Sequence, residues 1–228
     1  MGEDRQAFFD AIEREDLDEV RALLERKPEL SRAQDEEGRT GLLLAIYRGH
    51  HELVNFLSER RPEVDIFEAA AGGNAARVQE LVREEPRRVD FSSPDGFSPL
   101  GLAALFGWPE VVSILLREGA DPDVASKSAM RVTPLHSAAG YRDGAASEKI
   151  CRELLTHGAD PDARQAGGWT ALHQAAGQGN MRVVRLLLRY GADPQAAGDD
   201  GRTPEEMAGE NGHEEVVRVL REAATAPG

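Results

Sequence analysis

The sequence predicts an all-α protein, a solenoid of about seven stacked helix-turn-helix units with short β-hairpin fingers between them. One observation behind this is a block that recurs at intervals of about 33 residues. Another is helix punctuation, with start and stop residues falling at the same places in successive blocks. Composition agrees: 40% hydrophobic and 30% charged residues in a chain of 228, at a mean hydropathy of −0.47, support a packed core and argue against disorder.

The recurrence is read directly from the residues. Thr133, Pro134, Leu135 and His136 precede Ala138 and Ala139; Thr170, Ala171, Leu172 and His173 precede Ala175 and Ala176; Ser98, Pro99 and Leu100 precede Ala103 and Ala104. Each block leads through a second apolar stretch to Gly-Ala-Asp-Pro, at Gly119–Pro122, Gly158–Pro161 and Gly191–Pro194. With the first small residue of each helix pair as a marker, Ala11, Ala45, Ala69, Ala103, Ala138, Ala175 and Ala208 lie at intervals of 34, 24, 34, 35, 37 and 33. These blocks resemble the ankyrin repeat over nearly the whole chain. The resemblance implies a single domain, an alpha solenoid of stacked ankyrin repeats with a cap at 1–34, repeats at 35–64, 65–94, 95–128, 129–165 and 166–198, and a second cap at 199–228.

Each unit has a local physical reason. Residues 3–27 carry Arg14, Glu15, Asp16 and Glu19, a polar outer face suited to the end of a stack. The 24-residue interval leaves Arg61, Pro62, Glu63, Val64 and Asp65 too short for a helix end plus a hairpin, so one finger is expected to be absent there. In the next units, Thr133, Thr170 and Thr203 are placed to cap helices, with Pro134 and Pro204 at the first helical position, where a missing N–H costs nothing. Gly49, Gly107, Gly179 and Gly212 fall where a left-handed residue ends the first helix. Val183 with Leu187, and Val184 with Leu188, form one buried stripe on the second helix. Two extra residues around Ala125–Met130 lengthen one finger, and four before Ile150 predict a bulging turn over Gly140–Lys149. Glu205 and Glu206 replace Leu-His in the last unit and make it the polar terminus.

Several function classes are excluded by residue type. A net charge of −14 and a pI near 4.9 repel phosphate backbones, so nucleic acid is not expected as a partner. No run approaches the roughly 20 apolar residues that span a bilayer, and residues 1–4 carry no secretion-signal pattern, so a cytoplasmic location is expected. The single Cys151 forms no internal disulfide and aligns with Val112 and Val184 on the buried stripe. His51–Glu52 and His213–Glu214 lack the second histidine four residues on that chelates zinc. The paired finger aspartates, Asp121 with Asp123 and Asp160 with Asp162, follow no calcium-loop spacing and suit local side-chain turns. No cofactor or metal is expected, and the chain reads as non-catalytic.

In the family resembled, the motif histidine is structural, which assigns His136 and His173 to bonds between units. Partners there contact the finger tips and the inner face of the first helix. Carried over unit by unit, these places are Arg39, Tyr47 and Arg48; Phe97, Leu105 and Phe106; Val132 and Tyr141; Trp169 and Gln178; Arg202 and Asn211, and the adjoining Met130, Arg131 and Arg142 are expected in the same contact surface. Ala71, Gly72, Gly140, Gly177 and Glu210 complete the mapped face. Five of the 12 aromatic residues fall here, namely Tyr47, Phe97, Phe106, Tyr141 and Trp169, and arginines accompany them. Interfaces concentrate Tyr, Trp and Arg in this way. The expectation is a monomeric adaptor, inhibitor or scaffold that binds another protein in a groove with an aromatic floor and basic flanks. Two other readings stand beside it: the rings pack against neighbouring fingers, or histidines and carboxylates in the groove serve an enzyme or a small-molecule site.

Overall fold

A computed structural model of the protein describes residues 2–61 and 63–225. Met1, Pro62 and residues 226–228, assigned above to the first cap, the shortened joint and the last cap, lie outside the described residues. Fourteen α-helices follow in successive pairs among the described residues: α1 (Gly2–Glu13) with α2 (Leu17–Arg26), α3 (Gly41–Arg48) with α4 (His51–Arg60), α5 (Ile66–Ala71) with α6 (Ala75–Glu84), and α7 (Pro99–Leu105) with α8 (Pro109–Arg117). The series continues with α9 (Pro134–Ala139) and α10 (Gly144–Thr156), α11 (Ala171–Gly177) and α12 (Met181–Arg189), and α13 (Pro204–Glu210) and α14 (Glu214–Thr225).

The start signals act as their chemistry requires at most helices, but Thr133, expected as a cap, makes no side-chain bond to the N–H groups of α9, its hydroxyl being turned to the His136 ring. Thr40 and Ser98 hydroxyls accept from the N–H of Leu43 and Gly101, and Thr203 exchanges bonds reciprocally with Glu206. Asp16, Asn74, Asp143 and Asn180 cap the second helices through their side-chain oxygens. Gly49, Gly107, Gly179 and Gly212 adopt φ of 72°, 75°, 68° and 76°, turning the chain between the two helices of a pair. Each second helix buries one stripe, such as Val183, Val184, Leu186 and Leu187 on α12. Cys151 is fully buried on the equivalent stripe of α10, where burial pushes its thiol up to about 12.

Two sequence expectations are corrected. Gly140–Lys149 is no bulging turn, because α10 begins at Gly144 and the four extra residues add a helical turn, making it 13 residues against 9 for α8 and α12. Asp143 explains this by accepting from the N–H groups of Ala145 and Ala146, in a stretch without β-branched residues. The fingers are turns more than β-hairpins, since strand pairing among the described residues is limited to one isolated bridge, Gln34 with Thr40. Each finger is closed by a backbone bond from its first residue to its last: Asp35 to Arg39, Ser93 to Phe97, Gln165 to Trp169 and Gly198 to Arg202. The fifth, from Ser126 to Val132, encloses two more residues, as its length predicts. Between α4 and α5 the described residues form no finger.

Neighbouring units are joined by polar latches over an apolar seam. His136 accepts from or shares a bond with the Thr133 hydroxyl through Nδ1 (2.7 Å) and donates from Nε2 to the Trp169 carbonyl (2.9 Å). His173 repeats this with Thr170 (3.0 Å) and the Arg202 carbonyl (3.1 Å), so each ring ties a helix start to the next finger. The fingers are stitched together by Lys127 N–H to Gly96 O, Ala166 N–H to Met130 O and Asp199 N–H to Gly167 O, all at 2.8 Å. On the turn side, His50, Trp108 and His213 donate ring N–H groups to the carbonyls of Ile12, Ala71 and Gly177 one unit earlier.

The joint without a finger is built differently. The buried apolar residues fall into two cores, one from Phe8 to Leu57 and the other including Leu43 and running from Ile66 to Leu220, with Ile46 and Val64 packed against both. Buried Glu68 spans the joint, accepting from the Thr40 hydroxyl (2.5 Å) and the Asp65 N–H (2.9 Å), with Arg61 at 2.6 Å. The fingers on either side close the gap. Gly38 (φ +76°) sits so near Pro94 that an added Cβ would lie 2.4 Å from it, and the Tyr47 hydroxyl donates to Asp95 (2.7 Å).

Two outcomes follow. Gly49 and Gly107 share a left-handed backbone, but a Cβ at Gly49 meets open space whereas one at Gly107 would lie 2.2 Å from the Tyr141 ring. In urea unfolding, Gly49→Ala should cost about 1 kcal/mol and Gly107→Ala about 2 to 4 kcal/mol; equal losses would contradict the packing of Tyr141. Burial holds the His136 and His173 rings below the ordinary value of 6.5, so the unfolded chain takes up more protons as pH falls through 6.5 and stability drops. Unfolding midpoints should therefore decrease between about pH 7.5 and about pH 5.5, and His136→Gln should shrink that decrease; an unchanged pH dependence would contradict the neutral latch.

Candidate functional site

The mapped face divides into separate clusters. Phe97, Leu105, Met130, Val132, Tyr141 and Arg142 line one open groove of about 750 Å³ across α7, α9 and the lengthened finger. Its construction follows from the chain. Phe97 and Val132 end their fingers, Leu105 ends α7, and Tyr141 leaves α9 beneath Gly107. The two added finger residues are accompanied by Arg131 at φ 48°, an uncommon conformation for a side-chain-bearing residue, between Met130 and Val132. Met130 is 52% exposed, unusual for a large apolar side chain.

The remaining mapped residues do other work. Tyr47 and Phe106 stack edge to face at 5.2 Å and are half-buried against the core, and burial beside Asp95 pushes the Tyr47 phenol pKa up. Trp169 packs into Gly198 of the next finger, stacks on His173 at 6.3 Å and carries the Arg202 guanidinium at 5.2 Å. The alternative of rings packing on neighbours is thus what the structure contains at Tyr47, Phe106 and Trp169. Gln178 and Asn211 donate to the carbonyls of Gly140 and Gly177. The predicted basic flank is also reduced. Arg39 pairs with Asp35 and Glu37, Arg48 with Glu13, and Arg202 with Asp200 and Glu210. Among the described residues Arg131 and Arg142 have no ion-pair partner and both are exposed; Arg142 lines the groove, and Arg131 stands in the chain between the lining residues Met130 and Val132.

Five groove residues lie outside the mapped face and its adjoining residues, His136 among them having been assigned only a structural role. Ser137 and Gln174 each stand immediately before a marker alanine, His136 is the motif histidine itself, and Gln165 is the first residue of its finger. The shared place of Ser137 and Gln174 before the marker was the available signal. Gln165 is only 7% exposed, and neither its carboxamide nor that of Gln174 has a hydrogen-bond partner among the described residues. Asp143 also borders the groove, but its carboxylate is turned onto the start of α10. Both ring nitrogens of His136 and His173 are engaged in hydrogen bonds within the stack. Among the described residues no group of three or more His, Cys, Asp or Glu side chains could hold a metal ion, and no helix is long and apolar enough to cross a membrane.

Comparison with known proteins agrees with this architecture. A family model described as ankyrin repeats in three copies matches residues 66–165 and 142–227, and one described as ankyrin repeats in many copies matches residues 8–57. The boundary between them falls at the joint that lacks a finger. The chain is similar to the ankyrin repeat and SAM domain-containing protein 6 of Rattus norvegicus, at 32% identity over 146 residues, 59% of this chain and 16% of that protein. It is similar to NF-kappa-B inhibitor delta of Mus musculus, at 31% identity over 54% of this chain and 41% of that protein. A third relative is the probable 26S proteasome regulatory subunit p28 of Saccharomyces cerevisiae, at 27% identity over 72% of this chain and 60% of that protein. The chain thus spans about a sixth of the first of these relatives. With its family models covering most of its length and its latches and fingers in the matching places, the chain belongs to the ankyrin-repeat family.

Proposed function

We propose that this chain is a non-catalytic protein-binding module, acting as an adaptor, inhibitor or scaffold in the cytoplasm, and that it binds its partner as a monomer through the groove between Phe97 and Arg142. Ankyrin repeats are generally protein–protein interaction modules, and two relatives carry names that describe an inhibitor and a regulatory subunit of other proteins. One observation supports the reading above the rest: a contiguous apolar surface with exposed Met130 at its lip, on a stack whose latches hold it in place. A preformed surface loses little ordering entropy on association, which favours affinity.

Site-specific photo-crosslinking tests this in cells. A photoreactive residue at Met130 should yield a discrete covalent adduct with another protein, while the same residue at Arg185, exposed on α12, should yield none. Adducts from Arg185 alone, or none from Met130, would contradict the proposed face.

A further inference from the structure

We propose that the groove takes an extended peptide segment bearing a bulky apolar residue followed closely by an aspartate or glutamate. This rests on the protein-binding reading and specifies the chemistry of the occupant. Three independent features of the groove converge on it.

The first is the floor. Phe97, Leu105, Val132 and Tyr141, with Met130 at the lip, offer one apolar recess able to accept a large side chain. Desolvating such a side chain against them favours its burial in the recess. Methionine at the rim adapts its shape to differing anchors.

The second is charge. Of the five arginines on the mapped face or adjoining it, Arg39, Arg48 and Arg202 are held by carboxylates of this chain. Arg131 and Arg142, the two beside the recess, have none among the described residues, in a chain with 41 acidic against 27 basic side chains. Acidic residues are plentiful enough to neutralise them, and Asp143, next to Arg142 in the chain, is committed to capping α10. A guanidinium left free at the edge of an apolar recess selects a carboxylate in the occupant, by a charge-assisted bond stronger than a neutral one.

The third is hydrogen bonding. The carboxamides of Gln165 and Gln174 line the groove without partners in the chain, Gln165 being more than nine-tenths buried. A carboxamide presents both a donor and an acceptor, the pair that an extended backbone offers through its N–H and C=O. Both carboxamides are open to the water of the groove, and beside them the buried, unpartnered Ser137 Oγ is a polar group that an occupant's main chain can satisfy. An extended main chain meets both amides at once, whereas a helical segment has already spent its backbone groups internally. The groove therefore favours a linear segment over a folded surface.

Selection from a random linear-peptide display library against the full chain, followed by fluorescence anisotropy of the best dye-labelled peptide, tests this. Enriched peptides should share a bulky apolar residue with Asp or Glu within about three positions. Amidating that acid (Asp→Asn or Glu→Gln) should weaken binding about tenfold, and Arg142→Glu by a similar factor, with Arg142→Lys recovering part of it. Gln165→Leu should weaken every selected peptide irrespective of side-chain sequence, and Arg185→Glu on α12 should change nothing. Circular dichroism of each variant keeps loss of fold distinct from loss of binding. Peptides that bind equally without the acid, or that ignore Arg142→Glu, would overturn the proposal. Failure to select any peptide, while Met130 still crosslinks a protein in cells, would overturn the linear segment and leave protein binding standing; failure of both would remove that reading as well.

Discussion

A helix pair of this kind cannot cover both of its apolar faces, and everything else in the structure answers that constraint. Each unit survives by handing one face to its neighbour, so stability is a property of joints more than of units. The joints use a division of labour. Aliphatic stripes such as Val111–Leu116 and Val183–Leu187 supply non-directional burial, while His136 and His173 supply direction, each fixing one helix start to the carbonyl of the following finger. Those bonds need a neutral, correctly oriented imidazole, and they bind the histidines into the scaffold.

The same logic explains where the groove lies. Regular joints bring fingers and first helices into close register, and rings there are absorbed, as Trp169 is between His173 and Gly198. Between Ser93 and Val132 the register is broken by a finger two residues longer, stitched at Lys127 to Gly96 and at Met130 to Ala166. Apolar side chains that a regular finger would cover remain accessible beside it. The shortened joint at Arg61–Asp65 has the opposite consequence: adjacent fingers meet across the gap, Tyr47 is drawn to Asp95, and the surface there is closed and ion-paired. Irregularities of the repeat, more than its consensus, set the chemistry of the surface.

This distinction also decides what could be read from sequence. The helix order, the helix starts at Thr133, Thr170 and Thr203, the left-handed glycines and the missing finger follow from local rules that depend only on a few adjacent residues, although the Thr133 hydroxyl bonds the His136 ring in place of a helix N–H. The insertion before Ile150 was misread because its length is visible and its conformation is not: capping by Asp143 made extra helix cheaper than an extra loop. At the surface, family position and its sequence neighbours picked out Phe97, Leu105, Met130, Val132, Tyr141 and Arg142, which line one groove. It could not show that Arg39, Arg48 and Arg202 are neutralised by Asp35, Glu13 and Asp200, since ion pairs join residues whose proximity is created by folding. Gln165 was missed for a related reason, as polar residues at finger bases usually satisfy their own turns.

The central claim is a preformed recess whose occupant touches the fingers and first helices of the middle units and nothing on the outer helices. Hydrogen–deuterium exchange of the intact chain, with and without a bound partner, addresses it directly. The account requires slowed exchange confined to segments bordering 97–105, 126–142 and 165–174, with α10 and α12 unchanged along their outer turns. Slowing concentrated on α12 and α14, or spread evenly over the chain, would contradict it.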